Sequence, residues 1–525
     1  MPSRAEPSRV LWLLTALAGV GFGLVALALG MDANWDLRNY HYYNGWRLLN
    51  GLVDRDVLAA QIASFYNPLL DVPYAWAVDK VPATVIGFAL GALHGLNFGL
   101  LFAISRHVLT VRYRDTTAAL VALAGVTGAG ALSELGTVFY DNVVSLGALA
   151  SVLLVVAHWD ALAEEPPGPA LKRALLAGVP AGLAFGLKQP SVILCVGLCL
   201  AFLIAPMEPV RRLWLAFWFG VGVLVGFVIT GGSWALHLWR STGNPVFPYF
   251  NQLFGSSWAV AASYRDPTFL PSSLWDAVTL GFRYPFEPLL VGESGNVDFR
   301  LFALLALLPV AMLARRRTDP LLRPGPAGWL LAACLLAYGL WLYLFGIYRY
   351  IITLEMLAPL LVMGLIGALP LPRRARMALA VVLLVAVAAL SEPGDWLRVP
   401  WRQRAVEAAL PPIDPAGLVV MTGHEPMSFL VPLFPKTMRF IRVDSTFTLP
   451  PEHNTPFRQV FRRAIATAGG PIYALHTVSD TPELDGKLAP YGVSVVPDSC
   501  VVFTSSIGDG NDPYRLCLTR RAATK

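Results

Sequence analysis

The run Val10-Leu-Trp-Leu-Leu-Thr-Ala-Leu-Ala-Gly-Val-Gly-Phe-Gly-Leu-Val-Ala-Leu-Ala-Leu-Gly30 carries no charge. It empties into Met31-Asp32-Ala33-Asn34-Trp35-Asp36-Leu37-Arg38-Asn39-Tyr40-His41. About 20 apolar residues in a helix match a hydrocarbon core of about 30 Å, so the run reads as a bilayer span. Arg4 and Arg9 before it and Ala26-Leu27-Ala28 within it imitate a secretory leader. Its apolar stretch is longer than the roughly 7–15 residues of a leader's core, which favours a retained transmembrane helix. The segment that follows sets two carboxylates among Trp, Arg, Asn, Tyr and His, more polar chemistry than lipid contact demands. Ionisable groups at a membrane boundary mark a functional site by default.

Beyond that span, apolar residues make up 56% of the 525 and charged residues 14%, against about 45–50% and 25% in soluble domains. The excess sits in runs of about 15–22 residues with hardly a charge. Further spans are expected at Val85–Leu109, Thr117–Leu132, Val138–His158, Ala174–Leu187, Val192–Pro206 and Leu213–Leu238, then at Leu301–Leu313, Gly328–Phe345, Ile351–Leu369 and Met377–Leu390. The fold class is an all-α polytopic membrane protein of about eleven spans. Threaded alternately, the clusters Arg4/Arg9, Arg106/Arg112/Arg114, Lys172/Arg173, Arg211/Arg212, Arg315/Arg316/Arg317/Arg323 and Arg373/Arg374/Arg376 fall on one side. Basic residues stay cytoplasmic, which places the N-terminus inside. The net charge of +6 then reads as topology and calls for no nucleic-acid partner.

This threading gives a transmembrane domain over 1–390, with outer loops 31–84 and 237–300, and a soluble extracytoplasmic domain over 391–525. The tail alternates in pattern. Strands are expected at Gly417–Thr422, Met438–Val443 and Ile472–Leu475, and helices at Pro456–Ala468 and Pro482–Tyr491. Ser494–Thr504 and Tyr514–Thr519 read as a hairpin around Gly508-Asp-Gly-Asn-Asp-Pro513. The result is a C-terminal α/β domain of two or three layers. Cys195, Cys199 and Cys334 lie inside apolar runs, where they act as small hydrophobes. Cys500 and Cys517 flank the hairpin turn, and an extracytoplasmic compartment permits a disulfide between them.

The first outer loop carries Asp32, Asp36, His41, Asp54, Asp56, Asp71 and Asp79 among many aromatic residues. Helical spacing over Leu37–Leu49 puts Asp36, Tyr40 and Tyr43 on one face, and Gly51 ends the helix. Three readings stay open. The segment is an interfacial amphipathic helix with aromatics at headgroup level; or Asp36 is a helix cap; or Asp36 is a base beside ligand-holding Trp35, Tyr40 and His41. On the same side lie Lys188-Gln-Pro190, Tyr348-Arg349-Tyr350 and Glu355, with Arg283, Glu287, Glu293, Asp298 and Arg300 from the long loop. Lys188 or Arg349 alone could snorkel; together they could bind a phosphate. Glu355, in an otherwise apolar helix, belongs to an ion pair with Arg349 or another cation, or to a substrate pocket.

The order of these motifs resembles the GT-C class of integral-membrane glycosyltransferases. That class carries an acidic residue and then an aromatic in its first outer loop, followed by a Gly closing an interfacial helix. A Tyr-Pro-Pro-Leu-like entry to the next span comes after. Asp36, Tyr40, Leu48-Leu-Asn-Gly51 and Tyr66-Asn-Pro-Leu-Leu70 stand at those places, although the second proline is absent. Tyr348-Arg349-Tyr350 is similar to an Arg-Tyr pair that starts a late helix, and Gly243-Asn-Pro-Val-Phe-Pro-Tyr-Phe-Asn251 to a loop element of bacterial members.

The resemblance implies transfer of a sugar from a polyprenyl-phosphate donor to a lipid, glycan or protein acceptor, with inversion, at the outer face of a bacterial inner membrane. Asp36 is then the general base, and Asp32 could replace or assist it. Tyr40, His41 and Trp35 hold substrate, as do Lys188, Arg349, Tyr350 and Glu355. A lipid phosphate is already a good leaving group, so a metal is not obligatory, although the carboxylate pair could hold a divalent cation. The rival reading is a transporter or flippase of lipid-linked glycans. It would spread polar residues through the midplane and break helices in paired halves, whereas here they gather at the outer mouths of spans.

Overall fold

A computed structural model describes residues 9–314, 319–445, 447 and 455–521. Arg4 and Arg315–Arg317, members of the basic clusters, lie outside the described residues. The chain is mostly helical and forms two compact units. The first comprises the residues up to Ala28, Phe88–Ser233 and Arg265–Trp396. The second combines Leu29–Gly87, Trp234–Tyr264 and the residues from Leu397 onward.

Each apolar run of the sequence is helical. Six helices are long and apolar enough to cross a membrane: Arg9–Leu29, Ala83–Val108, Pro167–Leu187, Pro209–Thr242, Pro324–Leu344 and Tyr348–Gly367. Shorter apolar helices, Asp141–Ala157, Gln189–Ile204 and Arg300–Ala314, occupy three further runs. The chain is a multi-pass membrane protein. In lipid, helices associate through close packing rather than hydrophobic exclusion, so small residues mark the seams. Gly178 and Gly182 on one helix and Gly222 and Gly226 on another do this here. A Cβ at Gly182 would lie 2.0 Å from the Val223 carbonyl, and one at Gly222 would lie 2.0 Å from the Leu175 carbonyl. Only glycine lets those two backbones meet.

The connections that carry the basic residues of the first unit are tied into one network. Arg106 pairs with Asp115 (2.7 Å) and Arg323 with Asp160 (2.5 Å). Arg211 donates to the carbonyls of Leu162 (3.0 Å) and Glu165 (2.9 Å). Arg373 pairs with Asp319 and donates to the Thr110 carbonyl, and Leu109 bridges Leu322. Alternate threading put these segments on one side, and they meet at one end of the unit.

In the second unit, β1 (Met31–Asp32) pairs antiparallel with β2 (Arg398–Val399). A larger sheet contains β3 (Leu418–Met421), β4 (Arg439–Arg442), β5 (Ile472–Thr477), β6 (Val493–Val495), β7 (Val501–Phe503) and β8 (Tyr514–Arg521). Its order is β4-β3-β5-β8-β6, with β7 also on β8. β3 is parallel to both β4 and β5, and β8 is antiparallel to its neighbours. The helix Pro456–Ala466 buries Phe461, Ala464 and Ile465 against Val420, Ile441 and Ala474 of the sheet. Its strongly two-sided sequence accounts for that. Val57, in the segment after the first apolar helix, bridges Ile441, which ties that segment to the sheet edge.

Cys500 and Cys517 are joined by a disulfide across a sequence separation of 17. A cross-link closing a loop of that size stabilises by about 3 kcal/mol, chiefly by restricting the unfolded chain. Cys500→Ser/Cys517→Ser is therefore expected to lower the unfolding midpoint of the full chain. Non-reducing mass spectrometry of the wild type should show the pair two hydrogens lighter than the reduced form.

Candidate functional site

The segment after the first apolar helix builds its cluster from a short-range scaffold. Asp32 is buried, and its Oδ1 accepts from the Asn34 backbone N–H (3.0 Å) and side chain (2.7 Å). Asn34 in turn accepts from the Leu37 N–H (2.8 Å), so Asn34 and not Asp36 occupies the capping role. Asp36 already has helical backbone angles and makes no capping bond. Its carboxylate accepts from the Tyr40 hydroxyl (3.2 Å), the i, i+4 neighbour on the same face. A π-helical turn, Leu37–His41, then runs into the helix Tyr42–Leu49. Such one-turn widenings recur at functional sites.

The interfacial reading of this helix does not survive. Leu37 through Arg47 are all buried, and several of their polar side chains are hydrogen-bonded within the unit. Tyr43 donates to Asp56 (3.0 Å), Asn44 to the Ala63 carbonyl (2.9 Å) and Arg47 to the Ser64 carbonyl. Burial, with the Asp56 charge beside it, holds the Tyr43 hydroxyl far above its ordinary ionisation range. Gly45 meets the Asp71 carbonyl so closely that a Cβ would lie 2.4 Å from it. Gly51, at φ +65°, ends the helix as its sequence position implied.

Around Asp36 and Tyr40 the unit assembles an aromatic and acidic shell. His41 Nδ1 lies 2.5 Å from Asp71 Oδ1, and the imidazole packs on the Tyr40 ring at 4.0 Å between centroids. Tyr66 meets Tyr40 edge-on (5.3 Å), and its hydroxyl lies 3.0 Å from that of Tyr249. Tyr249 is presented by the loop Gly243–Asn251, which its asparagines knot together. Asn244 donates to the Tyr249 carbonyl (2.9 Å), and Asn251 donates to the carbonyls of Ser256 (2.9 Å) and Ala259 (2.7 Å). Trp35 remains more than a third exposed.

The first unit holds a second cluster. Lys188, which follows the helix Pro167–Leu187, points its ammonium at Asp141 Oδ2 (2.5 Å) and the Phe139 carbonyl (2.6 Å). It also lies 5.7 Å from the Tyr350 ring centroid. The Arg349 guanidinium sits over Phe139 (4.6 Å), Tyr350 (5.2 Å) and Trp396 (6.0 Å), and its Nε donates to Glu293 (3.0 Å). Desolvated cations on aromatic faces, each paired with a carboxylate, can exchange that partner for a phosphate. Glu134 stands beside Asp141 as well; burial, and then the Asp141 charge, push its carboxyl well above the usual carboxylate range.

Glu355, read from the sequence as an ion-pair or substrate-pocket residue, takes its hydrogen bonds from the chain itself. It is fully buried and accepts from the N–H groups of Gly130 and Ala131 (both 3.1 Å) and from the Tyr348 hydroxyl (2.5 Å). It clamps the chain entering Ala129–Ser133. A Cβ on Gly128 would lie 1.8 Å from its Oε1. Glu355→Ala would leave three buried donors without an acceptor, at about 1–3 kcal/mol each. Gly128→Ala would overpack the same clamp, at about 1–3 kcal/mol. Both variants are expected to lower the unfolding midpoint of the detergent-solubilised protein, Glu355→Ala by more.

Asp141, Glu134, Asp71 and Tyr249 were not singled out from sequence. Asp141 carried a legible signal, an acidic residue near the end of an apolar run, the same kind that drew attention to Asp36. Among the described residues no three His, Cys, Asp or Glu side chains are grouped so as to hold a metal ion.

No protein-family model matches the sequence, and no curated protein matches it either. Solved structures do. ArnT from Cupriavidus metallidurans, bound to undecaprenyl phosphate, aligns over 99% of this chain and 100% of its own, with TM-score 0.50 and 13% identity. The arabinosyltransferase EmbB from Mycobacterium smegmatis aligns over 69% of this chain and 31% of its own, with TM-score 0.39 and 15% identity. The fold is GT-C-like, as the order of motifs implied.

Proposed function

We propose that the protein is a membrane glycosyltransferase that moves a sugar from a polyprenyl-phosphate donor to an acceptor at the outer face of a bacterial inner membrane. The observation that carries this reading is the pair of largely buried cations at one end of the first unit. Lys188 and Arg349 are each held by a carboxylate and lie over aromatic rings. A phosphate on an apolar chain matches both parts of that surface. The shared fold with a protein solved with undecaprenyl phosphate supports the same ligand class.

The chemistry assigns one role to each group. Asp36 accepts the proton of the acceptor hydroxyl, and that oxygen attacks the anomeric carbon of the donor. The bond from that carbon to the phosphate oxygen breaks, and its electron pair leaves with the polyprenyl phosphate. Lys188 and Arg349 stabilise the charge that develops there. A single displacement inverts the sugar carbon. Tyr40 orients Asp36 through its hydroxyl, while Trp35, His41 and Tyr350 offer ring faces and hydrogen bonds to sugar. Asp32, bonded to Asn34, supports the turn that presents Asp36. The basic end of the first unit is then cytoplasmic, and the C-terminal domain periplasmic.

The test is binding of a short prenyl phosphate to the full chain in lipid nanodiscs, followed by calorimetry. Saturable binding that Arg349→Ala weakens supports the reading. Binding that is unaffected by Arg349→Ala removes the cations from it.

A further inference from the structure

We propose that the basic end of the first unit binds an anionic phospholipid, its headgroup in an arginine-lined groove and its acyl chains along the adjoining helix face. The apolar helix Ala83–Val108 ends beside an open groove of about 990 Å³. Arg106, Thr110, Arg112, Tyr113, Arg114 and Thr116 line it, from the end of that helix through the turn into the helix Arg114–Val126. The turn is held from its other side. The Thr110 N–H donates to the Leu321 carbonyl (3.0 Å), Leu109 bridges Leu322, and Arg373 donates to the Thr110 carbonyl (3.0 Å). The chain alone therefore shapes the groove.

Its charge is unbalanced. The one carboxylate of the lining, Asp115, is paired with Arg106 (2.7 Å). Arg112 and Arg114 are exposed, and among the described residues neither joins an ion pair. Two such guanidiniums suit a phosphodiester, whose oxygens accept their paired N–H donors. Arg112 also lies over the Tyr113 ring (5.4 Å to the centroid), and Tyr113 is 69% exposed. A tyrosine so placed at the end of a span sits at headgroup level.

The surface that continues from the groove separates a lipid from a soluble anion. Thr116, Leu120 and Leu123 follow one another at helical spacing and are exposed, whereas Thr117, Ala118, Val121, Ala122 and Ala124 turn inward. An apolar stripe that starts at a cationic groove and follows a membrane helix accommodates acyl chains. A free phosphate would gain nothing from it.

The probe is phosphatidylglycerol with a photoreactive diazirine in its acyl chain, in trace amount in phosphatidylcholine nanodiscs that hold the full chain. Phosphatidylcholine with the same diazirine is the reference; it shares the phosphate but carries a choline cation that the arginines repel. Peptide mass spectrometry after irradiation locates the adducts. The phosphatidylglycerol probe is expected to label the Leu120–Leu123 face about tenfold or more above the reference, given the attraction of two basic residues for an anionic lipid. Arg112→Ala/Arg114→Ala should bring the labelling down to the reference with the unfolding midpoint unchanged, because neither side chain is buried or ion-paired. Lys172→Ala removes an exposed cation from a helix outside the groove and should leave the excess intact. Equal labelling by the two probes on the wild type overturns the proposal without recourse to any variant. An excess that survives the double arginine variant also overturns it, as does an equal loss in Lys172→Ala, which would assign the attraction to the general charge of that end. Suppression of the labelling by equimolar glycerol 3-phosphate would give the groove to a soluble anion and overturn the lipid.

Discussion

Asp36→Asn is expected to slow sugar transfer by about 10²–10⁴-fold, the usual contribution of a positioned general base. The change suits the purpose because asparagine preserves the shape of the side chain and can still accept from the Tyr40 hydroxyl. What it removes is the ability to take a proton. Donor binding should stay within a few-fold of wild type, so the loss falls on the rate and not on affinity. Asp32→Asn is expected to act differently. Asp32 already accepts two hydrogen bonds from Asn34, and weakening them costs stability of about 1 kcal/mol with little loss of rate. The two variants are compared by mass spectrometry of the polyprenyl phosphate released per unit time. Full activity in Asp36→Asn would mean that another group is the base.

The second large effect concerns Lys188. Its ammonium is the cation on Asp141, so Lys188→Ala strands a carboxylate whose side chain is only 6% exposed. Removing one member of a buried pair costs about 3–5 kcal/mol, and a loss of activity in that variant alone would not distinguish folding from function. The double variant Lys188→Met/Asp141→Asn replaces the pair with neutral groups of similar size. Such replacements are often neutral for stability. It is expected to recover the unfolding midpoint of the wild type while prenyl-phosphate affinity stays down by about 30-fold or more, the cost of losing a desolvated charge contact. If the double variant recovers binding together with stability, Lys188 is only half of a structural ion pair.

What was legible in the sequence follows from what is periodic or local in it. The apolar runs declare their helices by length, and the tail declares its strands and helices by alternation between turn residues. Asp36 and Tyr40, one helical turn apart, could be placed together from spacing alone. The other contacts of the two clusters join distant positions. His41 and Asp71 are 30 residues apart, Lys188 and Asp141 are 47 apart, and Tyr66 and Tyr249 are 183 apart. Nothing in the intervening sequence encodes those distances; packing of whole elements sets them.

Two positions whose readings the sequence left open are resolved by contacts it does not show. Leu37–Leu49 has aromatics on one side and polar residues on the other, which is the pattern of an interfacial helix. The second unit buries both sides by supplying backbone carbonyls to Asn44 and Arg47. Glu355 was expected either to meet a cation or to line a substrate pocket, because a charge in an apolar helix needs a partner. Its partners are two backbone amides and a tyrosine hydroxyl, groups that every chain possesses and that no residue pattern reveals. The Gly178/Gly182 and Gly222/Gly226 seam was readable by its four-residue spacing, a small-residue motif of membrane helices.

The central claim, transfer of sugar out of a polyprenyl-phosphate sugar, is tested most directly in liposomes that hold the full chain, polyprenyl-phosphate sugars and the lipid and glycan acceptors extracted from the same bacterial envelopes. Mass spectrometry follows the lipids over time. The account predicts that free polyprenyl phosphate accumulates with wild-type protein and fails to accumulate with Asp36→Asn. Donor lipids that stay intact, or that reach the opposite leaflet with their sugar still attached, would contradict it.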